Sequence, residues 1–400
     1  MTAAAWTTLI ALAIPAYAYA GYPIILFVAA AFVQLARDAR YLLSRLERRR
    51  RSTRTPTVSI IVAAHNEETV IKQAIRNLLS RDYPADLIEL IVGSDGSSDR
   101  TVQLAIETGD RRLHVEDFPD QRGKLAVLKD CAQMARGEIL VFSDANTLLN
   151  RDAVKQLVRH FDDPLVGAVC GELRFTDSEG RTTHEGFYWR YELTLKMLES
   201  RIDSSLGANG AIYAVRTELF PDVPEHLITE DFVIPMRIRS RGFRVRYDPE
   251  AIAREELPED ARHEFRRRVR IGAGNWQALR YCAGMLLPWK GFAAFSFWSH
   301  KVLRWLTPFA LPVALFANLF VLDEPLGKAA LCLQVAFYLA AVAGLVMRRL
   351  GLCCTPCRIA WYFVLINAAL AVGIVKGALG LQRAGWRPTP RADVRSEDAA

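Results

Sequence analysis

Two kinds of hydrophobic pattern divide this chain. Residues 6–36 ("WTTLIALAIPAYAYAGYPIILFVAAAFVQLA") carry no charged side chain, and apolar stretches near 303–322, 327–347 and 358–380 crowd the C-terminal third. Between them, residues 56–250 alternate short β-branched runs with helical patterns, as expected of a parallel sheet flanked by helices. As one helix, residues 6–36 would be about 45 Å long, against a hydrocarbon core of ~30 Å. A single tilted or proline-kinked span fits better than two. A cleaved signal peptide is the rival, since "AYAYA" offers small-x-small chemistry. No basic segment precedes it, however, and the apolar run continues past the would-be cut.

Charge refines this map. The formal net charge is +7 and mean hydropathy is +0.08, high for a purely soluble enzyme. The arginines sit beside apolar segments, notably in "RDARYLLSRLERRRRSTR" at 37–54, which marks a cytoplasmic juxtamembrane segment and excludes nucleic acid as the favoured partner. Arg348, Arg349 and Arg358 place one C-terminal connection inside; Asp323 and Glu324 place the other outside. The same count puts the tail outside, against the sense of Arg383, Arg387 and Arg391. Residues 262–298 mix arginines with aromatics at helical spacing, suiting helices that lie among lipid headgroups. The expected organisation is an anchor at 1–38, a basic linker at 39–55 and a cytoplasmic domain at 56–261. Interfacial helices at 262–300, membrane helices at 301–382 and a polar tail at 383–400 complete it. The seven cysteines form no disulfide framework, and "CCTPC" lacks a second pair or histidines to complete a zinc site. It reads as a loop between membrane helices.

The candidate chemistry lies where the apolar runs stop. "TVSIIVAAHNE", "LIELIVGSDGSSDRTVQLAI" and "GEILVFSDANTLLNRDAVKQLV" each read as strand, polar loop, helix, the first helix starting near Glu68. Ligands of such sheets bind at the carboxyl ends of the strands, which gathers His65, Asn66, Glu67, Ser94, Asp95, Asp99, Asp144 and Asn146. Any one could cap a helix, and Asp99 and Asp152 are expected to. Acids ending three strands of one sheet argue against capping alone, and Asp144 at a strand end with Asn146 two residues on suits a metal–diphosphate site. No Walker loop occurs. Lys124, in "DQRGK", follows a basic stretch and could face a phosphate.

Seven motifs in order, "VSIIVAAHNEE", "SDGSSDRT", "GKLAVLKD", "VFSDANTLL", "GANGAIYAVR", "ITEDF" and "RRRVRIGAGNW", resemble glycosyltransferase family 2 over roughly residues 56–276. They look most like its membrane-embedded branch of cellulose, chitin, hyaluronan and poly-N-acetylglucosamine synthases. That resemblance implies an A-type glycosyltransferase fold: α/β, Rossmann-like, with a mostly parallel sheet. One N-terminal and about three C-terminal transmembrane helices, with interfacial helices, accompany it. It also implies an inverting hexosyltransferase using a nucleotide-diphosphate sugar, a UDP-sugar by preference, with Mg2+ or Mn2+. Asp231 of Thr229-Glu230-Asp231 then maps to the general base, alongside Glu230. His65, Glu67, Asp95, Lys124 and Asp144 map to the nucleotide-sugar cradle. Gly210, Arg267 and Arg270 map to the acceptor and diphosphate side, and Asp144 with Asn146 to the metal.

The chain departs from the family pattern in three places. Ser94 stands where many relatives carry another Asp. Asn146 replaces the acid that ligates the cation directly, which implies weaker metal binding without nucleotide. Ile271 replaces the tryptophan of Q/R-x-x-R-W, and Trp276 is the nearest aromatic substitute. The reading is a multi-pass enzyme of the bacterial inner membrane, with lipids around it and an export partner beyond it. It would extend a polysaccharide or another envelope glycan. Single addition to a lipid-linked acceptor, or a non-catalytic nucleotide-binding subunit of a secretion complex, are the alternatives.

Overall fold

A computed structural model of the chain describes residues 2–44, 55–176, 187–256, 261–352 and 354–382. Most of the basic linker, the polar tail and Cys353 lie outside the described residues. Two compact units emerge. One is Leu43–Ala261; the other combines Met1–Leu42 with Arg262–Gln382.

The first unit contains an eight-stranded mixed sheet. Its elements follow the chain as β1 (Val58–Ala64), α3 (Ile71–Leu79), β2 (Ile88–Asp95), α4 (Thr101–Ile106), β3 (Leu113–Phe118), α5 (Lys124–Met134), β4 (Ile139–Asp144) and β5 (Leu148–Leu149). They continue as α6 (Ala153–Val158), β6 (Val166–Thr176), α7 (Phe187–Ile202), β7 (Ile212–Arg216), α8 (Glu230–Ser240) and β8 (Arg244–Glu256). The strand order is β3-β2-β1-β4-β7-β6-β8-β5. The first four strands are parallel, β7 runs antiparallel between β4 and β6, and β6 pairs parallel with β8.

Every residue of β1 is buried, which explains its unbroken apolar run. Val58, Ile60, Val62 and Ala64 share a core with Ile71, Ile75 and Leu78 of α3 and Val154 and Leu157 of α6. Helix α5 packs on β1 and β2. Gly93 lets it come close, since a Cβ there would lie 2.4 Å from Val127 Cγ1. Two sequence expectations shift slightly. Helix α3 begins at Ile71, not Glu68, because the carbonyl of Glu67 first closes a turn with the N–H groups of Val70 and Ile71. Asp152 occupies the N-cap position of α6, but its carboxylate accepts from the Gln156 side chain, not from a backbone amide.

The second unit is helical: α1 (Ala3–Ala16), α2 (Tyr22–Ser44), α9 (Ala261–Tyr281), α10 (Phe292–Ser296), α11 (Leu303–Asn318), α12 (Pro325–Arg349) and α13 (Thr355–Ala378). A π-turn at Tyr17–Gly21 fuses α1 to α2, and another at Phe297–Val302 fuses α10 to α11. Among the described residues, three helices are long and apolar enough to cross a membrane: Ala3–Leu43, Pro325–Arg349 and Thr355–Ala378. The stretch near 303–322 differs from expectation. Its α-helix has 16 residues and two prolines, short of the ~20 a span requires, and reaches membrane length only by continuing from α10. Ala310 and Ala314 of α11 pack on Ala11 of α1.

Glycines set the contact of α9 with α13. A Cβ on Gly373 would lie 2.2 Å from the Val269 carbonyl oxygen and 2.8 Å from Gly272 Cα. One turn on, a Cβ on Gly377 would meet Ala273 at 2.9 Å and Trp276 Cβ at 3.2 Å. Tyr362 of α13 donates to Glu264 at 3.5 Å. The two backbones therefore touch directly, as small residues allow in helix pairs.

Candidate active site

The parallel register sets Ala64 against Ser94 and Ala63 against Asp144, so the ends of β1, β2 and β4 are neighbours. Side chains then stitch their loops together. His65 Nδ1 lies 2.7 Å from the Asp95 carbonyl oxygen. Asn66 takes a left-handed backbone (φ 53°), which asparagine tolerates better than most residues, and its Oδ1 accepts the Ser98 N–H at 2.8 Å. The Glu67 N–H donates to Thr101 Oγ1 at 2.8 Å, and Glu67 is buried. Asp99 bridges the two loops as a local cap, accepting from the Thr101 and Glu68 amides.

Asp95 is fully buried, and its carboxylate accepts the N–H groups of Arg122 (2.7 Å) and Gly123 (3.0 Å). The resemblance maps this group to the nucleotide cradle, and in the structure it fixes the turn that starts α5, where Lys124 is the first residue. Lys124 Nζ reaches Asp144 Oδ1 at 2.7 Å and Glu230 Oε1 at 2.8 Å. Burial opposes its charge, but the two carboxylates outweigh this and hold its pKa well above the usual lysine value. A glycine-lysine doublet with little force as a motif is thus a central cation between two acids.

Glu230 and Asp231 open α8, where acids suit the helix dipole. Pro235 lies inside this helix and has no N–H to give the carbonyl of Asp231, four residues back. That carbonyl accepts the Ala208 N–H instead, at 2.8 Å, while Asp231 Oδ2 accepts the Gly210 N–H at 3.1 Å. The loop 208–210 therefore grips the residue at both main chain and side chain. A Cβ on Gly210 would sit 3.3 Å from Lys124 Nζ and 3.7 Å from Asp231 Oδ2, so glycine keeps this space open. The Asp231 carboxyl is pushed up to about 6, by burial first and then by Glu230, against the pull of Lys124, Lys196 and the Gly210 amide. A carboxyl poised there can accept a proton near neutral pH. Below it, the Tyr213 hydroxyl is buried without a hydrogen-bond partner and is held neutral by burial and by Glu230.

"SDAN" proves to be a turn as well as a candidate ligand set. The Thr147 N–H donates to the Asp144 carbonyl at 3.1 Å. The Asn146 amide nitrogen donates to Glu255 Oε1 at 3.0 Å, which brings in a carboxylate from the far end of β8. Among the described residues, no group of three His, Cys, Asp or Glu side chains stands ready for a metal. Magnesium takes one or two carboxylates plus substrate phosphates and water. Asp144, Asn146 and the adjacent Glu255 fit a cation that arrives with a diphosphate better than one caged in advance.

Arg267 and Arg270 belong to the helical unit, on α9, where Arg267 and Arg268 pair with Glu264 at 3.5 and 2.7 Å. Trp276 packs against α13 at Gly377. Sequence reasoning missed Glu255, Tyr213 and Lys196. Only Lys196 had a readable signal: Glu192, Lys196 and Glu199 fall at i, i+4 and i+7 on the same stripe of α7 as Leu195 and Leu198, and all are buried. Charges on an apolar stripe are unusual enough to mark.

Known proteins resemble this chain in sequence and in fold. The chain is 28% identical over 233 residues to a probable glycosyltransferase of Bacillus subtilis strain 168, covering 55% of each. It is also 28% identical over 233 residues to the poly-beta-1,6-N-acetyl-D-glucosamine synthase of Staphylococcus aureus strain COL, covering 56% of this chain and 55% of that one. The chain thus spans about half the length of these curated relatives. A mannosyltransferase of Pyrobaculum calidifontis, solved in complex with GDP-Man and Mn2+, superposes with a TM-score of 0.70 at 23% identity. That likeness covers 94% of this chain and all of the other, and it shows the fold. Residues 59–218 match the model of glycosyl transferase family 2. Residues 139–375, more than half of the chain, match that of glycosyl transferase family group 2. On this evidence the chain belongs to the family 2 glycosyltransferases.

Proposed function

We propose that the protein is a membrane-bound inverting glycosyltransferase that moves a sugar from a UDP-sugar to a growing polysaccharide or another envelope glycan. Its catalytic unit would face the cytoplasm of a bacterial inner membrane, with Arg348, Arg349 and Arg358 on the same side. The observation that carries the chemistry is the half-buried Asp231 carboxyl, poised at about 6 beside Glu230 and Lys124. In an inverting displacement the acceptor oxygen attacks the anomeric carbon as the diphosphate departs. Asp231 takes the acceptor's proton, while Lys124 and the Gly210 edge hold the reacting groups within reach. Asp144 and Asn146 would hold a divalent cation, which when bound supplies charge to the leaving diphosphate. The similar mannosyltransferase was solved with Mn2+, which supports a divalent cation in this reading. His65 and Glu67, fixed by the stitched loops, are the nucleotide side of the site. Arg267 and Arg270 are assigned to the diphosphate.

A second reading is single addition to a lipid-linked acceptor. It is favoured by Ile271 at the usual tryptophan position and by Trp276 being engaged with Gly377 on α13. The test is purified full-length protein with UDP-N-acetylglucosamine, UDP-glucose or GDP-mannose, each with magnesium or manganese, followed by product sizing. Long chains support polymerisation and single additions the second reading. Asp231→Asn should fold and bind nucleotide but lose roughly two or more orders of magnitude in turnover. Near-normal turnover would remove Asp231 from the role of base.

A further inference from the structure

Helix α7 contributes a lysine to the catalytic unit that the chemistry above does not use. Lys196 is 4% exposed. Its Nζ donates to Asn209 Oδ1 at 2.6 Å and to the Ala208 carbonyl at 3.3 Å, and lies 3.9 Å from Cys170 Sγ. All three described partners are neutral. A buried lysine whose hydrogen-bond partners are neutral recovers only part of its lost hydration, and the carboxylate that feels its charge is Asp231. A hydrophobic side chain of similar length would serve packing better.

Its partners explain its presence. Asn209 is itself anchored, donating from Nδ2 to the Gly171 carbonyl at 3.2 Å. Ala208 and Gly210, on either side, are the two residues whose N–H groups hold the carbonyl and the carboxylate of Asp231. Lys196 therefore grips the loop that grips Asp231, from within the unit. We infer that Lys196 is a positioning residue for the base: it locks loop 208–210 around Asp231 and supplies a fixed positive charge behind it. This rests on the reading of Asp231 as general base.

The groups that face Asp231 are Glu230 on its own helix, Lys124 from α5, Lys196 from α7, Tyr213 from β7 and Cys170 from β6. Glu230 disfavours the ionised carboxylate; Lys124 and Lys196 favour it. Removing Lys196 leaves Lys124 as the one cation of this set, so the protonated form of Asp231 gains.

The test uses the full-length protein and two readouts. The first needs no substrate: an infrared pH titration of the protonated-carboxyl stretch that Asp231→Asn abolishes. Lys196→Met should move its midpoint upward by roughly one pH unit, and Lys196→Arg should return it towards wild type. The second is turnover with whichever of UDP-N-acetylglucosamine, UDP-glucose or GDP-mannose is used. Lys196→Met should lower kcat about ten-fold or more, with donor KM within about twofold, and should shift the acid limb the same way. If the methionine variant does not fold, Lys196→Gln carries the same test. An unmoved infrared midpoint with kcat within about twofold of wild type overturns the inference. Full turnover by Asp231→Asn would instead refute the base assignment, and the infrared midpoint would still judge the coupling to Lys196.

Discussion

Asn146→Asp restores the acid that relatives carry, and the structure changes what that substitution should do. From sequence alone the added charge would simply tighten a cation. In the fold, the Asn146 amide nitrogen is 3.0 Å from Glu255 Oε1. An aspartate of the same shape turns that hydrogen bond into a contact between two carboxylates at about 3 Å. At an effective dielectric constant near 20 their repulsion is about 5 kcal/mol. Both side chains reach solvent, so rotation and screening should leave about 1–2 kcal/mol. In chelator at neutral pH the variant should therefore melt below wild type by that amount. The deficit should shrink towards pH 5, where one carboxyl of such a pair takes up a proton. Magnesium or manganese relieves the repulsion, so apparent metal affinity should rise about ten-fold, equivalent to about 1.4 kcal/mol, and stability should climb with cation concentration. Thermal unfolding of Asn146→Asp, with and without Glu255→Gln, across a magnesium titration measures all of this. If the aspartate variant melts like wild type in chelator, or if Glu255→Gln leaves its deficit intact, Glu255 has no part in the site.

A second expectation concerns the cost of the base. The Asp231 carboxyl is pushed up to about 6 from an unfolded value near 3.8, so the folded state holds the extra proton between those values and loses stability as pH rises through them. Asp231→Asn should therefore be the more stable protein at pH 7.5, by about 1–3 kcal/mol, with the gain vanishing near pH 4; chemical denaturation at both pH values checks it. Topology gives a third: a reporter after Arg54 should lie in the cytoplasm and one near Asp323 outside. If both are cytoplasmic, the helix from Phe292 to Asn318 does not cross. Finally, Gly373→Val should lower the thermal stability of the full-length protein, because its side chain would enter the Val269 carbonyl; an unchanged melting curve would contradict the close contact.

What could be read from the sequence was local. The runs before His65, Asp95 and Asp144 announced buried strands, and their polar stops announced the loops that side chains stitch together. The remainder depended on pairings across long separations. Glu255 meets Asn146 across 109 residues, and no pattern around "REE" hints at it. Lys124 becomes central only because the Asp95 carboxylate fixes the turn before it, a relation invisible in a glycine-lysine pair. The reversal at β7 was equally hidden, since "IYAVR" reads as a strand without a direction. Nor does Pro235 announce in the sequence that the hydrogen bond it withholds is the one the Ala208 amide supplies.

The glycine contact between α9 and α13 has a mechanical consequence. Where main chains touch without intervening side chains, neither helix can slide or roll without carrying the other. Arg267 and Arg270 ride on α9 within about a turn and a half of Gly272, and Glu264 adds a second tie through Tyr362. Their height along the helix pair is therefore set by α13, a helix long and apolar enough to cross a membrane. If α13 spans a bilayer, a thinner or thicker one that tilts it would raise or lower those two guanidinium groups together, which would make membrane thickness a lever on the arginines themselves.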